Sequence, residues 1–104
     1  MEHPFLHNAL EKLQTNIGIT GTWKECQMSE LDGKLQFNIN GKKIILFAEL
    51  KKTAQKHHLS QILSNASKYQ PFILVAGHIA EQVKEVLQQS SIAWLEANGN
   101  IYVK

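Results

Sequence analysis

The sequence predicts an α/β domain: a mixed sheet flanked by helices, in the order α-β-β-β-α-β-α-β-β. Three observations carry this prediction. Asn40-Gly41 lies between two strand-like runs and is a strong hairpin signal. "FILVA", residues 72–76, is an unbroken apolar run of the kind found in strands covered on both faces. Elsewhere, apolar residues recur at helical spacing in three stretches.

The first helix is expected over residues 4–16. Phe5, Leu6, Ala9, Leu10, Leu13 and then Ile17 form one stripe, Pro4 suits the first helical position, and Gly18 suits the exit. Residues 19–28, "ITGTWKECQM", read as a strand. Residues 34–40 alternate, with Leu35, Phe37 and Ile39 on one side and Lys34, Gln36 and Asn38 on the other. The Asn40-Gly41 turn leads to a returning strand over residues 43–51. A second helix is expected over residues 54–69, with Leu59, Ile62, Leu63 and Ala66 on its apolar face. After the strand at 72–76, Ile79, Val83, Val86 and Leu87 mark a third helix over residues 80–89. "IAWLEANGNIYVK" closes with a strand, an Asn98-Gly99 turn and a short return.

At 104 residues the chain is expected to form a single domain, 1–104, which a longer protein could also contain. Its net charge of +2 is too small to mark a dedicated nucleic-acid binder, though it permits one. A single cysteine, Cys26, excludes an internal disulfide framework and a multi-Cys zinc site. It has no activating neighbour in sequence and reads as structural. There is no apolar run of membrane-spanning length and no secretory pattern in "MEHPFLHNAL", so a cytoplasmic location is expected.

The hairpin turn makes a specific prediction about side chains. With a two-residue Asn40-Gly41 loop, facing residues have numbers that sum to 81. Phe37 then meets Ile44, Leu35 meets Leu46, and Asp32 meets Glu49. Leu35, Phe37, Ile39, Ile44, Leu46, Ala48 and Leu50 form the core face. Asp32, Glu49 and Lys51 fall together on the other. Facing residues have Cβ atoms roughly 4.5–5.5 Å apart, so two carboxylates there repel unless a cation, a proton or a lysine compensates them. Two carboxylates beside a lysine suit Mg²⁺, a hard cation that takes oxygen ligands and keeps several waters. The plainer reading is a turn aspartate and a surface Glu49–Lys51 ion pair.

Asp32, sixteen intervening residues, then Glu49-Leu50-Lys51 resembles the D…(D/E)-x-K motif of the PD-(D/E)XK, or restriction-endonuclease-like, superfamily. The order α-β-β-β-α-β is also similar to that superfamily's core. The segment "FILVAGHIAEQVKEVLQQSSIAWLEANGNIYV" resembles part of the nuclease-like N-terminal module of AbiEi-type antitoxin and transcriptional-regulator proteins. The resemblance implies a restriction-endonuclease-like sheet and DNA as partner. It also implies Mg²⁺ (or Mn²⁺) on Asp32, Glu49 and the Leu50 carbonyl, with Lys51 acting on the attacking water and the phosphate. The antitoxin-like group instead implies a non-catalytic dimerisation or partner-binding module, with a winged-helix region in a longer chain. Two departures are plain: Leu31 stands where a proline often precedes the aspartate, and Glu96 where the antitoxin-like relatives tend to have Asp.

"KKTAQKHH" places Lys52, Lys56 and His57 beside this motif, as candidate contacts to nucleic-acid phosphates or as an ordinary solvated turn. Neighbouring His57 and His58 are expected to point apart, which is poor spacing for one metal. His3, His7 and Glu11 recur every four residues but read as a solvated helix start. Gln61 reads as an exposed glutamine, and Trp23 and Trp94 as core or interface residues.

Overall fold

The computed structural model describes residues 4–25 and 31–103. The elements are α1 (Pro4–Ile17), β1 (Thr20–Glu25), β2 (Gly33–Ile39), β3 (Lys42–Ala54), a 3₁₀ turn (Lys56–His58), α2 (Leu59–Lys68), β4 (Phe72–Ile79), α3 (Glu81–Gln89), β5 (Ala93–Glu96) and β6 (Ile101–Tyr102). The order matches the sequence prediction. All six strands join one sheet in chain order. β1, β2 and β3 form an antiparallel meander, β3, β4 and β5 run parallel, and β6 returns antiparallel to β5. No helix among the described residues is long and apolar enough to cross a membrane.

The sheet is covered on both faces because its central strands are apolar on both. Leu35, Phe37, Leu46, Ala48, Ile73, Val75 and Leu95 pack on one face under Leu6, Ala9 and Leu13 of α1. On the other face, Phe72, Leu74, Ala76 and Trp94 pack under Ile62 and Ala66 of α2 and Val83 and Leu87 of α3. Each fully buried Leu, Ile or Val side chain contributes about 1.5–3 kcal/mol, so this double layer supplies the main driving force for folding.

The hairpin turn forms as its residues require. Asn40 and Gly41 have φ of 51° and 79°, the left-handed conformations of a two-residue type I′ loop. Pairs summing to 81 run from Ile39–Lys42 to Gly33–Ala48. Ile44, expected in the core, is instead 39% exposed. β4 begins level with Phe47, so the hairpin end runs past the central strands and their covering helices.

β3 extends to Ala54, beyond the expected end at 51, because its parallel partner β4 continues to Ile79. The second helix starts correspondingly late, at Leu59. Residues 26–28 of the expected first strand, Cys26 among them, and His3 lie outside the described residues. The parallel ladder omits the Lys52–Gly77 step. A Cβ at Gly77 would lie 2.6 Å from the Lys52 carbonyl oxygen, a distance only glycine permits. Past this step Ala54 and Ile79 face α2 and α3, although simple alternation assigns them to the α1 face. The pleat changes phase there, as at a bulge.

Candidate functional site

Glu49 and Lys51 lie within the parallel stretch of β3, level with Leu74 and Ala76 of β4, and Lys52, Lys56 and His57 follow toward and past its carboxyl end. Glu49 and Lys51 lie two apart on β3, so strand alternation sends both side chains to the α2/α3 face. Lys51 Nζ is 3.4 Å from Glu49 Oε2, and the side chains are 24% and 4% exposed. The pair is therefore not the solvated surface pair of the plainer reading: the carboxylate is buried. Its other oxygen, Oε1, accepts a hydrogen bond of 2.9 Å from Nδ2 of Asn65, a buried residue of α2. Glu49 Oε2 is itself buried and has no hydrogen bond. A buried, unmatched carboxylate oxygen is costly.

The ladder ends at Gly33–Ala48 and does not include the expected Asp32–Glu49 pair; Asp32 stands one residue beyond it, held by Ala48 and Leu50 rather than set opposite Glu49. Its backbone N–H donates to the Ala48 carbonyl at 3.1 Å, and its carboxylate Oδ2 accepts from the Leu50 N–H at 2.7 Å. β2 has ended here, so the Asp32 side chain caps a β3 amide that would otherwise lack a strand partner. Asp32 is exposed while its neighbour Leu31 is buried under α2 and α3, which anchors the approach to the strand. Leu50, whose N–H Asp32 holds, stands between Glu49 and Lys51 on β3, so the three candidate residues meet around one corner of the sheet.

Among the described residues, no group of three or more His, Cys, Asp or Glu side chains is placed to hold a metal ion. Any cation here would rest on two carboxylates, a carbonyl and water. That sparse donor set fits Mg²⁺ better than Ca²⁺ or Zn²⁺, and the unmatched Oε2 is the oxygen it would complete.

No protein-family profile matches the chain, and no curated protein or solved structure is significantly similar to it. Local chemistry alone carries the functional reading.

Lys52, Lys56 and His57 are all exposed at the same end of the sheet. The two histidines do not point apart: on the tight 3₁₀ turn their ring centroids lie 4.1 Å from one another. His58 Nδ1 accepts a hydrogen bond from the Gln55 N–H at 3.0 Å. Burial, then the neighbouring His57 and Lys51, hold His58 below its ordinary pKa, with Glu49 opposing them. Gln61 is exposed, as expected. His7 and Glu11 form an exposed i,i+4 pair at 3.5 Å. Trp94 is buried and stacks on Tyr102 at 4.7 Å, and Trp23 packs against the α1-side core.

A second buried carboxylate ends β5. Glu96 lies across the sheet from Lys51, with Ala76 between them in one cross-strand row. Its Oε1 takes hydrogen bonds of 2.8 Å from Asn100 Nδ2 and 2.8 Å from Lys84 Nζ, and its Oε2 takes one of 2.8 Å from the Ile79 N–H. His78 Nδ1 is 3.8 Å from the same Oε2. Burial pushes the Glu96 carboxyl up, but Lys84, Asn100 and the Ile79 amide outweigh it and hold the group below its ordinary value. The hydrogen bond to Glu96 raises Lys84 in turn. Unlike Glu49, Glu96 is fully matched and serves to tie β5, α3 and the closing turn together.

Asn65 is the residue that sequence reasoning overlooked. Its signal was present: it interrupts the apolar stripe of α2 three residues after Ile62.

Proposed function

We propose that this chain is a DNA-associated, nuclease-like domain with a Mg²⁺-dependent phosphodiester site formed by Asp32, Glu49 and Lys51. The observation that carries the proposal is the Glu49 carboxylate. It is buried, with one oxygen fixed by Asn65 and the other free of hydrogen bonds beside the Lys51 ammonium. A purely structural glutamate would be matched, as Glu96 is. The D…E-x-K pattern and the meander leading into a parallel crossover support the same reading.

In this proposal Asp32, Glu49 and the Leu50 carbonyl hold the ion. When bound, Mg²⁺ (or Mn²⁺) supplies Lewis acidity and lowers the pKa of a bound water. Asn65 fixes the Glu49 rotamer, so the free oxygen is presented without reorganisation. The Lys51 ammonium neutralises charge on a phosphate brought to this corner and orients the attacking water. In the same proposal the exposed Lys52, Lys56 and His57, which follow Lys51 in the chain, would contact flanking phosphates of a DNA strand, an attraction that weakens with salt.

One observation favours a second, non-catalytic reading: Asp32 Oδ2 already serves the Leu50 amide. In that case the corner is a structural clamp, and the domain is a dimerisation or partner-binding module of an antitoxin-like regulator. Calorimetric titration of Mg²⁺ and Mn²⁺, run alongside cleavage of plasmid and single-stranded DNA, separates the two. Cleavage that disappears in both Glu49→Gln and Lys51→Ala preparations, with metal binding lost in the first and largely kept in the second, supports the nuclease-like site. Metal binding without cleavage supports the clamp, and a wild-type chain that binds neither ion removes the metal proposal.

A further inference from the structure

The opposite end of the sheet carries a feature unrelated to this corner. β3 starts at Lys42, but β4 joins it only at Phe47, where the Phe47 N–H donates to the Pro71 carbonyl at 2.7 Å. Before that point β3 is paired only with β2. Because the Phe47 N–H faces β4, alternation turns the N–H and C=O groups of Lys43 and Ile45 the same way, toward an open side. This is a free strand edge inside the sheet order rather than at its margin.

The edge opens into a groove of about 770 Å³ whose lining includes Leu46, Leu63, Ala66, Phe72, Ile92 and Val103. Ile44, Ile45 and Val103 are 39%, 51% and 55% exposed, so apolar surface extends from the groove onto the hairpin and β6 sides. The charge here is of one sign. Lys42 and Lys43 are exposed on the open strand, Lys68 is exposed on α2 next to the lining Ser67, and no lining residue of the groove is Asp or Glu.

We propose that this notch binds an acidic, extended peptide of a partner protein, which adds as a strand to residues 42–46 of β3. Strand addition satisfies the open amides and carbonyls of Lys43 and Ile45, while alternate side chains of the peptide enter the apolar groove. Its carboxylates meet Lys42, Lys43 and Lys68. A second copy of this chain is a poor occupant, because edge-to-edge pairing would set Lys42 and Lys43 against their own equivalents. Nucleic acid would use the lysines but leave the strand edge and the apolar groove unmet.

The test uses an acetylated, fluorescein-labelled (Glu-Val)₄ peptide, its (Lys-Val)₄ counterpart, and an acidic version N-methylated at alternate residues. Anisotropy is read at low salt, and amide shifts of the ¹⁵N-labelled chain locate the contact. The acidic peptide should bind saturably and shift Lys43 and Ile45. Affinity should fall about tenfold or more for the Lys42→Glu/Lys43→Glu double variant, and by a similar factor for the N-methylated peptide, while the lysine peptide does not bind. A circular-dichroism melt confirms that the double variant folds; both lysines are exposed near the hairpin turn. Absence of saturable binding overturns the proposal, as does equal affinity for the lysine peptide or shifts confined to Leu50–Lys56 amides. Shifts of Lys43 and Ile45 produced by a short DNA duplex and not by the peptide would also overturn it. Because this notch and the Glu49 corner use different residues of β3, failure of either proposal leaves the other standing.

Discussion

Glu49 and Glu96 are two buried carboxylates on one sheet, treated differently by their neighbours. Glu96 receives a lysine, an asparagine and a backbone amide; Glu49 receives an asparagine and leaves one oxygen unmatched beside Lys51. Substitution should separate their roles. Glu49→Gln keeps an oxygen acceptor for Asn65 and takes the counter-charge only from Lys51, which is 24% exposed and turns to water, so its thermal midpoint should fall by less than that of Glu96→Gln. Glu49→Ala also removes the acceptor and should cost about 1–3 kcal/mol. Glu96→Gln takes from Lys84 its buried counter-charge, leaving only the exposed Glu81 at 3.5 Å, and should cost about 2 kcal/mol. Urea unfolding of the three variants checks this order; a Glu49→Gln protein less stable than Glu96→Gln would make Glu49 the structural residue. The register from Ile39–Lys42 to Gly33–Ala48 was legible in the sequence because hairpin pairing is arithmetic, but the ladder stops before Asp32. The burial of Glu49 was not legible, since it depends on α2 returning over β3, a long-range contact that no local pattern encodes.

At the scale of elements, the hairpin and the β3–β4 pair position the corner. Asn40 and Gly41 adopt left-handed conformations that a β-branched residue resists. Gly41→Val should therefore cost about 1–3 kcal/mol and loosen the strand that carries Glu49. Gly77→Ala tests the other side: its Cβ would meet the Lys52 carbonyl at 2.6 Å, forcing β3 and β4 apart next to Lys51. We expect a loss of about 1–3 kcal/mol, with faster hydrogen exchange at Lys51–Ala54 amides, which would localise the damage. The alternation of residues 34–40, the turn and the apolar run at 72–76 were all readable, since each is local. The extension of β3 to Ala54 was hidden behind lysines and a threonine that look like the end of a strand. Parallel pairing with β4 overrides that weak local preference.

Charge linkage acts on the whole molecule. Glu96 is held below its ordinary value, so its contribution is complete above about pH 4.3 and is lost as pH falls through its lower folded value. Lys84 is raised, so its contribution is complete below about pH 10.4 and is lost as pH rises through its higher folded value. His58 is lowered; it resists protonation in the folded chain, which costs stability as pH falls below about 6.5. Stability should thus peak on the neutral to mildly alkaline side, and Glu96→Gln should flatten the acid limb of a plot of midpoint against pH. An acid limb unchanged by that substitution would remove Glu96 as its source.

The central claim is that Asp32 and Glu49 offer oxygens to a divalent cation, and paramagnetic broadening by Mn²⁺ tests it most directly. Trace Mn²⁺ added to the ¹⁵N-labelled chain should broaden the amide signals of Asp32, Leu50 and Lys51 first, and spare those of Gly41 and Lys42 at the hairpin tip, roughly 23 Å along β3 from Glu49. Glu49→Gln should abolish the effect while leaving the remaining spectrum unchanged. Uniform broadening across the surface, or the same pattern retained in Glu49→Gln, would contradict a metal site at this corner.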